Sequence, residues 1–275
     1  GAVKWIITPN VVADWMYQPV IQTSQIGYHP AQDKEAVIEM DIRDNRKETA
    51  QIIRIDADGE KVVKNVTPAN WGKFLRYNYL KVDFTDVKEA GLYKIKYDTS
   101  VSPIFRIDND VYARGVWQPV LEYFLPVQMC HMRVNEKYRV WHDCCHMDDA
   151  QMAPAHNHID GYDQKEGLSK FKPGEVVPGV NIGGWHDAGD FDLRIESQAG
   201  ESYILALAYE AFHPNLDVTS MDQINRVPEI HQPDGKNDLL QQVENGALTV
   251  VNGYLALGRL YRGIICNDLR QYVLL

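Results

Sequence analysis

The pattern of apolar and polar positions changes character part-way along the chain. From about Pro19 to Ile107 it reads as short strands separated by turn residues. Glu35 to Ile42 and Gln51 to Ile55 are rich in β-forming apolar residues, Ala57-Asp58-Gly59 marks a hairpin, and Val62-Val63 resumes the strand pattern. Phe74 to Phe84 and Leu92 to Tyr97 continue it, the latter with Leu92, Lys94 and Lys96 alternating against Tyr93, Ile95 and Tyr97, and Ser102 to Ile107 supplies a last strand. Short strands with turns about every 8–12 residues predict an all-β, immunoglobulin-like sandwich over 19–108. No residue in this stretch carries obvious chemistry.

After Asn109-Asp110 the apolar spacing turns helical. Val111 to Met129 has helical periodicity interrupted by Pro119 and Pro126; Leu193 to Phe212 is a long segment, amphipathic to nearly all-apolar; Asp238 to Leu260 is a third, with Asp238 as its expected N-cap. Long helices joined by long loops predict an all-α second domain over 109–275. Between the first two helices, Cys130 to Asp190 holds six of the nine histidines. Connections of that length in compact domains are usually functional.

Composition narrows the field. With 45% hydrophobic and 24% charged residues the chain has material for a sizeable core, so wholesale disorder is excluded. Lys+Arg 28 against Asp+Glu 38 gives a net charge of −10, which repels nucleic acid and anionic lipid, so no nucleic-acid partner is expected. No apolar run approaches the roughly 20 residues of a membrane span. Gly1 to Ile7 has no charged n-region followed by an apolar h-region, so no signal sequence is read there.

Two features of the long connection carry chemistry. In Gly183-Gly184-Trp185-His186-Asp187-Ala188-Gly189-Asp190, two carboxylates stand three positions apart with only Ala and Gly between them, so both can face one substrate unobstructed. The plain alternative is an Asp190 helix cap behind a glycine loop. Upstream lie Cys130, Cys144, Cys145-His146 and Asp148-Asp149. Two cysteines and two histidines suit a closed tetrahedral zinc site, but the spacing is irregular, and His131, His142, His156 and His158 compete as ligands. Free buried cysteines with surface histidines are the other reading. Trp185 and the tyrosines offer flat faces to sugars, or else Trp185 packs beneath the loop.

Residues 183–190, preceded by Cys145-His146-Met147-Asp148-Asp149-Ala150, resemble the N-terminal part of the catalytic domain of family 9 glycoside hydrolases. The resemblance is closest to the bacterial group with an N-terminal immunoglobulin-like domain. Gln25-Ile26-Gly27-Tyr28-His29-Pro30 is similar to the segment that opens that domain, and Tyr93 to Ile107 to its end. The resemblance runs from about Gln25 to Leu260. It implies the start of an (α/α)6 barrel after the sandwich and an inverting cleavage of β-1,4-glucan, with Asp190 as general base and Asp187 helping to hold the attacking water. It also implies a structural zinc on Cys130, Cys145, His146 and His186, with Cys144 the natural exchange for Cys145. Calcium is a further expectation of the family, with no ligands matched here. The glucan substrate implies a secreted or periplasmic enzyme.

Two departures accompany the resemblance. Gln151 to Val180 makes a longer connection than the family's usual one, and the family's general-acid glutamate comes from the far end of its barrel. Glu196, Glu201, Glu210 and Glu244 match no acid motif, so no acid is assigned and the chain reads as the opening part of a longer enzyme. An exo-acting β-glucosidase or β-glucosaminidase of the same family, and a carbohydrate-binding fragment without turnover, stand as alternatives.

Overall fold

The computed structural model describes residues 3–155, 158–159, 162–187, 191–267 and 270–274. The chain divides into two units, Gly1–Trp117 and Gln118–Leu275. Among the described residues no helix is long and apolar enough to cross a membrane.

The first unit contains β1 (Val20–Gln22), β2 (Glu35–Asp41), β3 (Ala50–Asp56), β4 (Gly59–Val66), β5 (Ala69–Phe74), β6 (Tyr77–Asp83), β7 (Gly91–Tyr97), β8 (Ser100–Val101) and β9 (Phe105–Ile107). One sheet runs β1-β2-β6-β5; the other runs β4-β3-β7-β8, with β9 also on β7, and all these pairings are antiparallel. Period-2 alternation decides which side chains turn inward. On β6, Asn78, Leu80 and Val82 are buried while Tyr77, Tyr79 and Lys81 are partly exposed. Ile38, Met40 and Val82 from one sheet meet Ile52, Tyr93, Ile95 and Ile107 from the other in a single apolar core, as a sandwich requires. The expected hairpin forms with Asp56 opposite Gly59, whose φ of +123° suits glycine. Phe74 to Phe84 is two strands rather than one: Leu75, at φ +52°, turns the chain between β5 and β6.

The second unit contains α1 (Gln118–Tyr123), β10 (Val134–Glu136), β11 (Arg139–His142), β12 (His158–Ile159), β13 (Tyr162–Asp163), β14 (Leu193–Arg194), α2 (Ile195–Phe212), β15 (Thr219–Asp222), β16 (Val227–Ile230), α3 (Asp238–Leu257), β17 (Gly263–Asn267) and β18 (Arg270–Leu274). The all-α expectation is therefore corrected, because the segments between and after the helices form sheets of their own, β11-β10-β16-β15, β14-β17-β18 and β12-β13. The strands β10, β11, β15 and β16 are short and interrupted by charged or polar residues, so they have no apolar run to announce them. The helix expected from Val111 begins only at Gln118, and Pro126, lacking an N–H, falls in a π-helical turn, Phe124–Gln128, that ends it. The two long helices, α2 and α3, pack on each other. The N-cap of α3 is Asn237, whose side chain accepts from the Leu239 N–H at 3.1 Å, and not Asp238 as expected.

Candidate metal and carboxylate site

The site is built where the end of the π-helical turn meets the glycine-led segment. Met129 pairs with Trp185 as an antiparallel bridge, with the Cys130 N–H donating to Gly184 O at 3.1 Å and the His186 N–H to Gln128 O at 2.6 Å. Alternation across this short ladder sends Met129 and Trp185 into one apolar core and leaves Cys130 and His186 on the opposite face. Gly183 and Gly184 permit the close approach, with φ of +75° and +91°. A Cβ on Gly183 would lie 2.3 Å from Asn245 O, and one on Gly184 would lie 2.6 Å from Leu193 Cδ2.

Cys130, Cys145, His146 and His186 come together with one donor atom each, all within 4.8 Å of one another. Cys130 Sγ is 3.6 Å from Cys145 Sγ and 3.2 Å from His146 Nδ1. His186 Nε2 is 3.6 Å from Cys145 Sγ and 3.1 Å from His146 Nδ1. Phe191 packs against both imidazoles, with ring centroids 5.3 and 5.2 Å away. Burial pushes the Cys130 thiol up, while the hydrogen bond from Cys130, with help from both imidazoles, holds Cys145 far below the ordinary thiol range. The Cys145 sulfur in turn raises His146. Two sulfurs and two imidazole nitrogens at these separations can hold a four-coordinate metal ion.

A second cluster shares Cys130 and adds His131 and Asp149. Fully buried His131 already spends both ring nitrogens, Nδ1 on Gly183 O at 3.1 Å and Nε2 on the Asp149 carboxylate at 3.1 Å. It ties the Cys130 corner to the glycine-led segment instead of binding metal. Sequence reasoning placed His131 only among competing ligands. What sets it apart is that both its ring nitrogens are already engaged, on Gly183 O and on Asp149.

Asp187 follows His186 directly. Its backbone N–H donates to Asp192 O at 2.7 Å, its Oδ1 accepts from Ser197 Oγ at 3.3 Å, and its Oδ2 faces Arg194 Nε at 3.2 Å. Arg194 also pairs with buried Asp192 at 3.0 Å. On α2, the Glu201 carboxyl is pushed up by burial first and by the Asp187 charge second. Asp190 lies outside the described residues.

Trp185 corrects one expectation. It is 0% exposed, donates through Nε1 to Gln242 Oε1 at 3.1 Å, and packs edge-on against Phe124 at 5.3 Å, so its ring is a packing element and has no face to offer a sugar. Gln198 on α2 fixes the Trp185 backbone at both ends, accepting from its N–H and donating to its C=O, each at 2.9 Å. This residue carried no signal in the sequence beyond being a glutamine in a largely apolar helix.

Comparison with known proteins adds a frame. A family profile described as the cellulase N-terminal Ig-like domain matches residues 16–102. Endoglucanase D of Acetivibrio thermocellus is 22% identical over 241 residues, which cover 86% of this chain and 34% of that protein. Among solved structures, a zinc-binding triple mutant of the family 9 endoglucanase J30 superposes with a TM-score of 0.65 at 22% identity, over 90% of this chain and 44% of that one. A family 9 protein of Bacteroides ovatus superposes with a TM-score of 0.63 at 19% identity, over 93% and 45%. The chain thus spans about a third of the curated relative and under half of the solved ones. By motif, by the match of its first unit and by fold, the chain resembles family 9 glycoside hydrolases that open with an immunoglobulin-like domain.

Proposed function

We propose that this chain is the N-terminal part of an inverting glycoside hydrolase that cleaves β-1,4-glucosidic bonds in cellulose or a related glucan outside the cytoplasm. On this reading 19–108 is the accessory immunoglobulin-like domain and the chain from 109 opens an (α/α)6 barrel. Exposed Tyr203, Ile204, Leu207 and Phe212 on α2, and Val251, Tyr254 and Leu255 on α3, form the kind of surface that further barrel helices would cover. The observation that carries the proposal is that the four-donor cluster takes in His186, immediately ahead of Asp187 within the segment that resembles the family's catalytic motif.

The residues fit zinc. Bonds of about 2.3 Å to sulfur and 2.0–2.1 Å to nitrogen in a tetrahedron require edges of about 3.8 Å between sulfurs, 3.6 Å between sulfur and nitrogen, and 3.3 Å between nitrogens. The four edges given above lie within about half an ångström of those lengths. Bound by Cys130, Cys145, His146 and His186, the ion would act structurally, pinning the segment that carries the carboxylates. Asp190 takes a proton from water as that water attacks the anomeric carbon, and Asp187, its own oxygens held by Ser197 and Arg194, helps to orient the water. A carboxylic acid on the opposite face, about 6.5–9.5 Å away, protonates the leaving oxygen.

The test is the anomeric configuration of sugar newly released from a β-1,4-glucan by the longer protein, followed by NMR. The α-anomer should appear first, and Asp190→Ala should reduce the rate by about 10²–10⁴-fold. Retention of configuration, or an Asp190→Ala variant of undiminished rate, would overturn the assignment. Comparing loss of polymer viscosity with release of monosaccharide separates the endo-acting reading from the exo-acting one.

A further inference from the structure

We propose that Trp141 is a sugar-stacking residue, the anchor of a glucan subsite on the β10–β11 hairpin. The proposal rests on the glucan reading above and adds to it a residue that neither the motif nor the metal cluster includes. The hairpin register pairs Asn135 with Val140 and Val134 with His142, so Trp141 is the extra residue of a β-bulge. Bulges re-aim the side chain they carry.

The re-aimed ring is then fixed. Its Nε1–H donates to Glu136 Oε2 at 3.2 Å, and the Arg139 guanidinium lies over the indole, 4.8 Å from the ring centroid. Arg139 also faces Glu136 at 3.8 Å, and the other oxygen of Glu136 meets His231 Nδ1 at 2.9 Å. The hairpin itself is anchored by the parallel contact of β10 with β16, where the Lys137 N–H donates to Glu229 Oε1 at 2.6 Å. Yet Trp141 remains 45% exposed. A large aromatic held in one orientation, with a guanidinium over one face, a carboxylate at its N–H edge and part of its surface still open to solvent, matches a pyranose, which presents an apolar C–H face bordered by hydroxyls.

Its location suits the same chemistry. Trp141 lies four positions before Cys145, a span of at most about 14 Å, and Cys145 Sγ is 3.6 Å from the ring of His186, the neighbour of Asp187. A glucan chain several units long bridges that interval.

The experiment is calorimetric titration of the zinc-loaded protein with the β-1,4-linked glucose hexamer. Trp141→Ala should weaken binding about tenfold, and Trp141→Phe, which keeps a ring but not the N–H, should recover most of the loss. In a parallel NMR titration, the indole N–H signal that disappears in Trp141→Phe should move when the hexamer is added to the wild type. This second readout does not depend on the alanine variant folding. Binding that leaves the Trp141 signal unmoved, or equal affinity in a folded Trp141→Ala variant, overturns the subsite and leaves the glucan reading standing. Failure of the wild type to bind the hexamer at all overturns both.

Discussion

At the start of α3 the Asp238 side chain turns inward, and its carboxylate accepts from the backbone N–H groups of Val218 and Thr219 at 3.1 and 3.3 Å. Burial outweighs those donors and, with Asp217 and Asp234 nearby, pushes the carboxyl up to about 6. An aspartate in the unfolded chain titrates near 3.9. The native state therefore holds an extra proton between about pH 4 and pH 6. The stabilisation this gives is complete below about pH 4 and is lost as pH rises through about 6. Asp238→Asn keeps an acceptor but cannot ionise, so it should flatten the fall in stability across that window by on the order of 2 kcal/mol. Urea midpoints of both proteins at pH 4 and pH 7 measure this directly, and parallel profiles would assign the dependence to another group. The same position shows why residue-scale reading of a sequence goes astray. Asn237 and Asp238 are adjacent and both favour N-caps, so the pattern cannot say which one caps. The choice is made by the β15 segment, whose two N–H groups claim the aspartate.

Helix–segment packing around Trp185 yields a paired prediction at the next scale. Gly246 on α3 is where the helix meets the Trp185 ring: an added Cβ would lie 2.3 Å from Trp185 Cζ3 and 2.3 Å from Ser202 Oγ. Gly200, in exposed α2, would meet nothing within 4 Å. Gly246→Ala should therefore destabilise by about 1–3 kcal/mol through overpacking. Gly200→Ala should stabilise by roughly 0.5–1 kcal/mol through reduced backbone freedom in the unfolded chain. Opposite signs in denaturant midpoints are the expected result, and two stabilising substitutions would refute the contact. Elements were legible where a single periodicity ruled a long run. The strands of the sandwich and the helices α2 and α3 announced themselves by apolar spacing. Clustering of cysteine and histidine pointed to the region of the four-donor group, but only the family resemblance singled out Cys130, Cys145, His146 and His186 from the competing histidines. The strands β10, β11, β15 and β16 did not announce themselves, because Glu136, Arg139, Asp222 and Pro228 break any apolar alternation and the sheet joins two hairpins far apart in sequence. The burial of Trp185 was equally hidden, since it depends on Gln198, Gln242 and Gly246 from two later helices.

At the scale of the whole molecule, the two units differ in what holds them. Gly1–Trp117 has its own apolar core of sheet residues, in which Ile38, Ile52, Ile95 and Ile107 are all 0% exposed, and it includes none of the four clustered donors. Gln118–Leu275 contains all four, and there Cys130 belongs at once to the donor cluster and to a buried core with Val177, Leu193 and Ile264. Stripping a metal from such a place leaves two sulfurs, one of them buried, and two imidazoles without their common partner, and the binding free energy is forfeited from the fold of that unit. Scanning calorimetry with and without a chelator should consequently show two transitions, of which one stays put while the other falls by roughly 10 °C or more. Cys145→Ser should lower the same transition without chelator and should leave less than one equivalent of zinc by elemental analysis. If instead chelation shifted both transitions equally, or neither, the metal cluster could not be what pins the segment leading to Asp187, and its position would have to rest on the His131–Asp149 tie, the Met129–Trp185 bridge and the contacts of Gln198, Ser197 and Arg194.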